Sequence, residues 1–364
     1  MKPHPRRTGA AEAPPLPLPA RTLVGAAYAL LVTGVVTDIA SNPRSTISPA
    51  LATAPVLAGI GTRRARVPLA AGAVALLLVI WLAKADPGVP FAVHLTSGVT
   101  VLAITCISTA NVVLVSTRER ELLQSRSVAE AAQLALLRPV PERTGRLWVA
   151  VRYLAAAADA RVGGDLYEVL ATPFGTRLII GDVRGKGLAA VETASDVLGT
   201  FREAAQVEPD LAVVAQRLDA TVRRRGAGEE FVTAALVEVA DSGNLAELVD
   251  CGHLPPLVLR AGTVTPIEPA LPLADPPLGL CDLTGSTYHR QEFVLARGDT
   301  LLLYTDGATE ARDAAGRFYP LEERVAGMPE SSPEALLDRL VADLLAWSGD
   351  EPADDAALLA CRAP

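Results

Sequence analysis

Cysteine is scarce in this 364-residue chain: Cys106, Cys251, Cys281 and Cys361, with no short paired spacing. That excludes a zinc knuckle or a disulfide framework and leaves isolated reduced thiols of a cytoplasmic protein. Net positive charge is missing too. The formal charge is -8, which argues against nucleic acid as a partner. Acidic residues are sparse before about residue 140 and gather beyond it, so the two halves differ in class. Charged residues make up only 20% of the chain against 50% hydrophobic. That balance is too apolar for a plain soluble enzyme, so a membrane region is expected. The length leaves room for about two domains.

Residues 1–21 are basic and proline-rich (KPHPRR, then APPLPLP) and read as a disordered lead. No small-residue cleavage site follows and further apolar stretches do, so a removable signal is not expected. A transmembrane region of four spans follows over residues 22–115, at about 22–40, 47–60, 67–83 and 89–115. The second stretch is short and carries Pro49 and Pro55; a re-entrant segment is its alternative. Arg6, Arg7 and Arg21 precede the first stretch, Arg63, Arg64 and Arg66 separate the second from the third, and Arg118 and Arg120 follow the fourth. The other two loops hold only Arg44 and Lys84. The positive-inside rule then places both termini in the cytoplasm: a multi-pass protein of the plasma membrane with a cytoplasmic C-terminal half. Asp38, His94 and Asn111 fall within or at the edges of these stretches, as interfacial or functional polar groups.

Residues 116–140 form a helical connector. Leu122, Leu123, Val128, Ala132, Leu134 and Leu137 recur at near-helical spacing, and no glycine or proline interrupts before Pro139. The helix continues the last span. It either pairs with a second copy, giving a homodimer, or packs on its own domain.

Beyond residue 141 the pattern changes to short apolar runs divided by turn signals. Strands are expected at 147–154, 166–171, 177–182, 231–240, 245–250, 257–260, 288–295, 300–304 and 356–361, with helices at 188–205, 209–225 and 333–347. Short connections between neighbouring strands make antiparallel pairs, so residues 141–364 read as an α+β domain.

Acidic residues recur at strand ends beside turns. Asp165 lies in VGGDLYE, Asp182 ends RLIIGD, Asp306 ends TLLLYTD, and Asp354 and Asp355 precede AALLAC. Carboxylates gathered without histidine or cysteine favour a hard cation such as Mg2+ or Mn2+. Two such ions about 4 Å apart bind a phosphoryl group and lower the pKa of a bridging water, so no Ser or Cys nucleophile is required.

The ordered set VGGDLYE, GDVRGKGLAA, FVTA, CGHLPPL, PPLGL, LLLYTDGATEARD and DDAALL resembles PPM-type (type 2C) protein serine/threonine phosphatases, in the bacterial SpoIIE-type branch. The resemblance covers roughly residues 128–362. GDVRGKG with YTDGATEARD is its most specific part; VGGD alone is superficially similar to the GGDEF cyclase signature, but Leu166-Tyr167 stands where that has Glu-Phe, and the later motifs of this chain have no place in a cyclase.

The resemblance implies an α-β-β-α sandwich of two antiparallel sheets flanked by helices. It implies two divalent ions, Mn2+ or Mg2+, held by Asp165, Asp182, the Val183 backbone carbonyl, Asp306 and Asp354, with Asp355 sharing the last role. Asp165, Asp182, Asp306 and Asp354 are the catalytic set. It also implies a phosphorylated regulatory protein of the anti-anti-sigma type as substrate. Arg161 is a candidate contact to the substrate phosphate. His253 reads as a structural loop residue or a general acid, and Lys186 is unassigned. Three departures stand out: Asp250-Cys251 where Asn-Ala is usual, Ala357 for a small polar residue, and Glu168 for Asp. They leave open a catalytically inactive membrane receptor or scaffold on the same fold.

Overall fold

The computed structural model describes residues 18–40, 46, 48–85, 88–155, 163–225, 230–241, 244–269, 275–328, 332–349 and 354–363. Most of the basic, proline-rich lead and Arg161 lie outside them. The chain divides into two compact units, Met1–Ser125 and Arg126–Pro364.

In the first unit α1 spans Leu18–Ala40, and a 3-10 turn at Ser48–Ala52 leads into α2, Thr53–Ile60. α3 spans Arg66–Ala85, and α4 runs from Phe91 to Leu136, its last turns belonging to the second unit. Pro55 sits in the first turn of α2, where a missing N–H is harmless. α3 buries Pro68, Ala71, Gly72, Ala75, Val79 and Leu82, a stripe at i, i+3, i+4 spacing. Small residues on this stripe let helices approach closely: a Cβ at Gly72 would collide with Thr105 of α4. The opposite faces are apolar as well, with Leu77, Ile80, Trp81, Val99 and Ile107 exposed. Two segments, Arg66–Ala85 and Phe91–Glu121, are long and apolar enough to cross a membrane; Thr22–Asp38 and Ser48–Ile60 are shorter apolar helices.

The second unit holds two antiparallel sheets. One has the order β1 (Arg143–Thr144), β2 (Leu147–Leu154), β11 (Ala356–Arg362), β10 (Thr300–Tyr304), β7 (Leu257–Arg260), β8 (Thr263–Pro266). The other has the order β3 (Leu166–Thr172), β4 (Gly175–Val183), β5 (Val232–Val239), β6 (Leu245–Cys251), β9 (Gln291–Val294). Between them in sequence come α5 (Leu188–Val207), α6 (Leu211–Arg225) and the short α7 (Cys281–Thr284), α8 (Asp306–Thr309) and α9 (Leu321–Ala326), then α10 (Pro333–Ser348). The strand alternation sorts the layers. Leu301, Leu303, Leu359 and Cys361 point into one core with Leu178, Ile180 and Leu236, while Leu302, Leu358 and Ala360 pack with Leu336, Leu340 and Leu344 of α10. α5 and α6 cover the free face of the other sheet through Leu198, Phe201, Leu211 and Leu218. The result is a helix–sheet–sheet–helix sandwich.

The expected strands and three long helices recur within a few residues. β1 and β8 are additional, each too short to give a pattern of its own. α10 starts where Ser332 accepts from the Ala335 N–H, with Pro333 in its first turn, and stops at Gly349 in the left-handed region.

Arg177 on β4 is fully buried. Its guanidinium donates to Glu238 at 2.6 Å and to the backbone carbonyls of Ala205, Glu208 and Pro209, so it closes the C-terminal end of α5 against the sheet. Replacing it would leave a largely buried carboxylate and three carbonyls without their donors. Arg177→Leu is expected to lower the stability of the second unit by about 3–5 kcal/mol, read as an earlier denaturant midpoint.

Candidate functional site

The acidic residues sit at the seam where neighbouring ends of the two sheets meet. In one sheet Asp165 immediately precedes β3, and Asp182 is the second-last residue of β4; β3 and β4 pair with Leu166 opposite Gly181. Gly164 brings the two ends together. Its carbonyl accepts from the Val183 N–H at 3.2 Å, and any Cβ there would lie 2.6 Å from the Val183 carbonyl oxygen. In the other sheet Asp306 follows β10 as the first residue of α8, and Asp354 and Asp355 lead into β11. A Cβ at Gly307 would stand 1.9 Å from the Asp355 carbonyl oxygen, so glycine is required for this approach.

Two hydrogen bonds fasten one sheet's acids to the other's. The Thr305 hydroxyl accepts from the Ala357 N–H at 2.9 Å and donates to Asp165 Oδ2 at 2.8 Å. The Gly163 N–H donates to Asp355 Oδ2 at 2.5 Å. Lys186, in the loop between β4 and α5, donates to Asp354 Oδ2 at 2.6 Å.

Charge at this seam is under-compensated. Burial, then the neighbouring Asp182, holds the Asp165 carboxyl well above its ordinary range, although the Thr305 bond opposes the shift. Burial, then Asp306 and Asp354, pushes Asp182 up to about 7, with Lys186 only partly offsetting it. Burial, then Glu310 and Asp354, raises Asp306. These carboxylates share one field, and a cation placed among them would relieve it. The donors are all oxygen, which fits Mg2+ or Mn2+. Among the described residues, however, no three acidic, histidine or cysteine side chains close into a ready ligand group. The structure gathers the acids into one electrostatic cluster without drawing them around a single point.

Several supporting residues gave little sign in the sequence. Thr305 stands in the TDG motif but carries no charge. Gln133, on the last turns of α4, is 3% exposed. Its Nε2 donates to the Tyr153 hydroxyl at 2.9 Å and to the Asp165 backbone carbonyl at 3.3 Å. Its signal is a polar residue within the apolar pattern of the connector. Tyr153 hydrogen-bonds Asp355 in turn, and burial raises its phenol. Arg202 of α5 donates to the Leu136 carbonyl at 3.1 Å and pairs with buried Glu168 at 2.5 Å. Glu168 is thus engaged in packing α4 and α5 onto β3.

His253 is a structural residue here. Its Nε2 donates to the Tyr304 carbonyl at 3.1 Å, which leaves Nδ1 to accept from the Thr233 hydroxyl at 3.1 Å. Burial lowers its pKa to about 4, keeping the ring neutral. It ties β5 to the end of β10, one residue before Thr305.

Sheets of this order, flanked by these helices and carrying the acids at one seam, define a PP2C-type phosphatase fold. The SiaA-PP2C domain of Pseudomonas aeruginosa shares it, with 19% identity and a TM-score of 0.57 over 67% of this chain and 98% of that one. The PP2C phosphatase domain with a regulatory fragment of SpoIIE from Bacillus subtilis shares it too, with 16% identity and a TM-score of 0.51 over 60% of this chain and 63% of that one. A family model described as Stage II sporulation protein E (SpoIIE) matches residues 172–364, and the chain belongs to that family. The RsbU and RsbW domains of Rv1364c from Mycobacterium tuberculosis are 28% identical, with a TM-score of 0.50 over 60% of each chain. The chain therefore spans about 60% of the length of the latter two proteins.

Asp250, one of the residues that depart from the family pattern, accepts from the His253 N–H at 2.8 Å. Burial raises its carboxyl from 3.8 to about 6, against the pull of that N–H. The folded state thus holds this proton more tightly than the unfolded chain does. The resulting stability is fully present below about pH 4 and is lost as pH rises through about 6. Asp250→Asn keeps the acceptor and removes the charge. It is expected to stabilise the protein by about 1–2 kcal/mol at pH 7.5 and by little at pH 4, measured by denaturant unfolding at both.

Proposed function

We propose that this chain is a membrane-anchored, divalent-metal-dependent protein serine/threonine phosphatase with its catalytic domain in the cytoplasm. One observation carries the reading: Asp165, Asp182, Asp306, Asp354 and Asp355, in the family's motif order, meet in a single under-compensated cluster at the seam of the sandwich. Asp165, Asp182, the Val183 carbonyl, Asp306 and Asp354 with Asp355 would hold two Mn2+ or Mg2+ ions. When bound, such ions neutralise a phosphoryl group and acidify water for attack on phosphorus. The chain's own groups orient the carboxylates. Thr305 fixes Asp165, the Gly163 N–H fixes Asp355, and Lys186 fixes Asp354 while adding positive charge on the solvent side.

The substrate is a phosphoserine or phosphothreonine in a partner protein. The likeness to the RsbU domain supports a regulatory protein, of the anti-anti-sigma type that the motifs imply. Four spans anchor the chain, the two long apolar helices supporting two of them and the loop charges supporting the orientation. The connector passes the state of the membrane region, or of a second copy paired through it, to the site. Gln133 supports this role, because it reaches both Tyr153 and the Asp165 backbone.

The second reading, a phosphatase fold serving as a non-catalytic membrane receptor or scaffold, is favoured by the lack of a closed ligand group among the described residues. Calorimetric titration with Mn2+ separates the two. Two bound ions and phosphate release from a phosphoprotein are expected of the full chain. Asp182→Asn and Asp306→Asn should each lower turnover at least about a hundredfold. Undiminished turnover in either variant, or no metal uptake by the unaltered chain, defeats the enzymatic reading. Gln133→Leu should lower turnover by about tenfold while moving stability by only about 1 kcal/mol, checked by paired activity and unfolding measurements.

A further inference from the structure

Within the first unit, a cavity of about 450 Å³ opens between α3 and α4. Its walls are apolar, with Leu76 and Val79 facing Val99 and Leu102. Two polar residues interrupt them. His94 is 4% exposed, and among the described residues neither of its ring nitrogens has a hydrogen-bond partner. Lys84 lines the cavity as well. A buried imidazole without partners is costly, and it lines a cavity large enough to supply one.

The chemistry of the missing group follows from what surrounds it. A neutral imidazole offers one donor and one acceptor, and an ammonium offers donors only. No carboxylate lines the cavity among the described residues. The excess of donors beside a positive charge selects a negative, acceptor-rich head. The polar pair lies near the α3–α4 turn, since α3 ends at Ala85 and α4 begins at Phe91. Leu76 and Leu102 lie eight residues from Lys84 and His94 along their helices, about 12 Å deeper. Head and tail of an amphiphile are thus accommodated in order.

We infer that this cavity binds an acyl chain bearing an anionic carboxylate or phosphate head. The head accepts from His94 and Lys84, and the tail lies along Leu76, Val79, Val99 and Leu102. On the proposed orientation the head is at the extracytoplasmic face. The inference stands on the packing of α3 and α4 and is independent of the phosphatase reading. Gly98 offers a second handle. A methyl there meets Leu76 at 3.7 Å and Val79 at 4.0 Å, ordinary contacts, so a side chain at this lining position starts among the cavity walls.

The test uses the full chain in phosphatidylcholine nanodiscs, photolabelled with diazirine-bearing palmitate and mapped by peptide. Labelling, resolved to single residues by fragmenting the labelled peptides, should concentrate on the lining residues Leu76, Val79, Val99 and Leu102 and fall about tenfold in His94→Leu and Gly98→Phe. Lys84→Gln, an exposed conservative change, should reduce it severalfold with an unchanged circular dichroism spectrum. Competition by unlabelled palmitate identifies a free fatty acid as the source, and competition by phosphatidylglycerol in the disc identifies a membrane phospholipid; either supports the site. Labelling spread evenly onto the outward Leu77 and Trp81, labelling unchanged in the variants, or displacement by neutral menadione but by neither anion, overturns it.

Discussion

Bringing Asp165 and Asp182 of one sheet against Asp306, Asp354 and Asp355 of the other works against folding. Each carboxylate is moved partly out of water, and each repels the next. The sandwich must supply that free energy from elsewhere. It does so through strands such as β4 and β11, which are buried along nearly their whole length. A fully buried Leu, Ile or Val contributes roughly 1.5–3 kcal/mol. The repulsion is local and the burial is spread across both cores, so the fold tolerates an electrostatically unfavourable seam. On the proposed function, a charge cluster that the scaffold can hold but not neutralise is what a divalent cation would complete.

Holding the cluster also requires backbones to come closer than side chains allow. Gly164 against Val183 and Gly307 against Asp355 are the two places where this is decisive. Thr305 then links three elements with one hydroxyl: it closes the pairing of β10 with β11 and crosses to Asp165. His253 fixes the Tyr304 carbonyl just before it. The seam's backbone is therefore positioned partly by hydrogen bonds between neutral groups, the Ala357 N–H to Thr305 and the His253 ring to the Tyr304 carbonyl, that involve no acid.

The strands were legible from the sequence as short apolar runs between turn signals, and the two-sheet sandwich followed from the resemblance; the alternation that sorts the layers shows only in the fold. Leu301 and Leu303 against Leu302 is such a pattern, and α10 carries both a cap and a terminating glycine. The acids stood out for a different reason: each lies at a strand boundary beside a turn, in motifs whose order the resemblance supplied. Less legible were contacts between residues far apart in the chain. Nothing local to Arg177 announces that it will close the end of α5, and nothing local to Gln133 announces Tyr153 and Asp165. His253 read as a structural loop residue with a general-acid role as its alternative, and what engages its two nitrogens, Thr233 and Tyr304, lies far from it in sequence. Hydrogen-bond partners of this sort are set by topology, which short motifs do not encode.

The connector shows how those non-local contacts bear on control. Gln133 and Arg202 meet the end of α4 from opposite directions. Gln133 donates out of the helix to Tyr153 and the Asp165 carbonyl, while Arg202 donates into it at the Leu136 carbonyl. Arg202 is itself held by Glu168 on β3, the strand that begins next to Asp165. A rotation or shift of the helix end therefore cannot leave the Asp165 backbone where it is without breaking one of these bonds. On the proposed function, a small displacement of Asp165 would alter how the acids present themselves to a cation while leaving the two cores packed. Control by the helix, as proposed, would need no large rearrangement, only a choice between keeping and losing the two Gln133 hydrogen bonds of about 1 kcal/mol each.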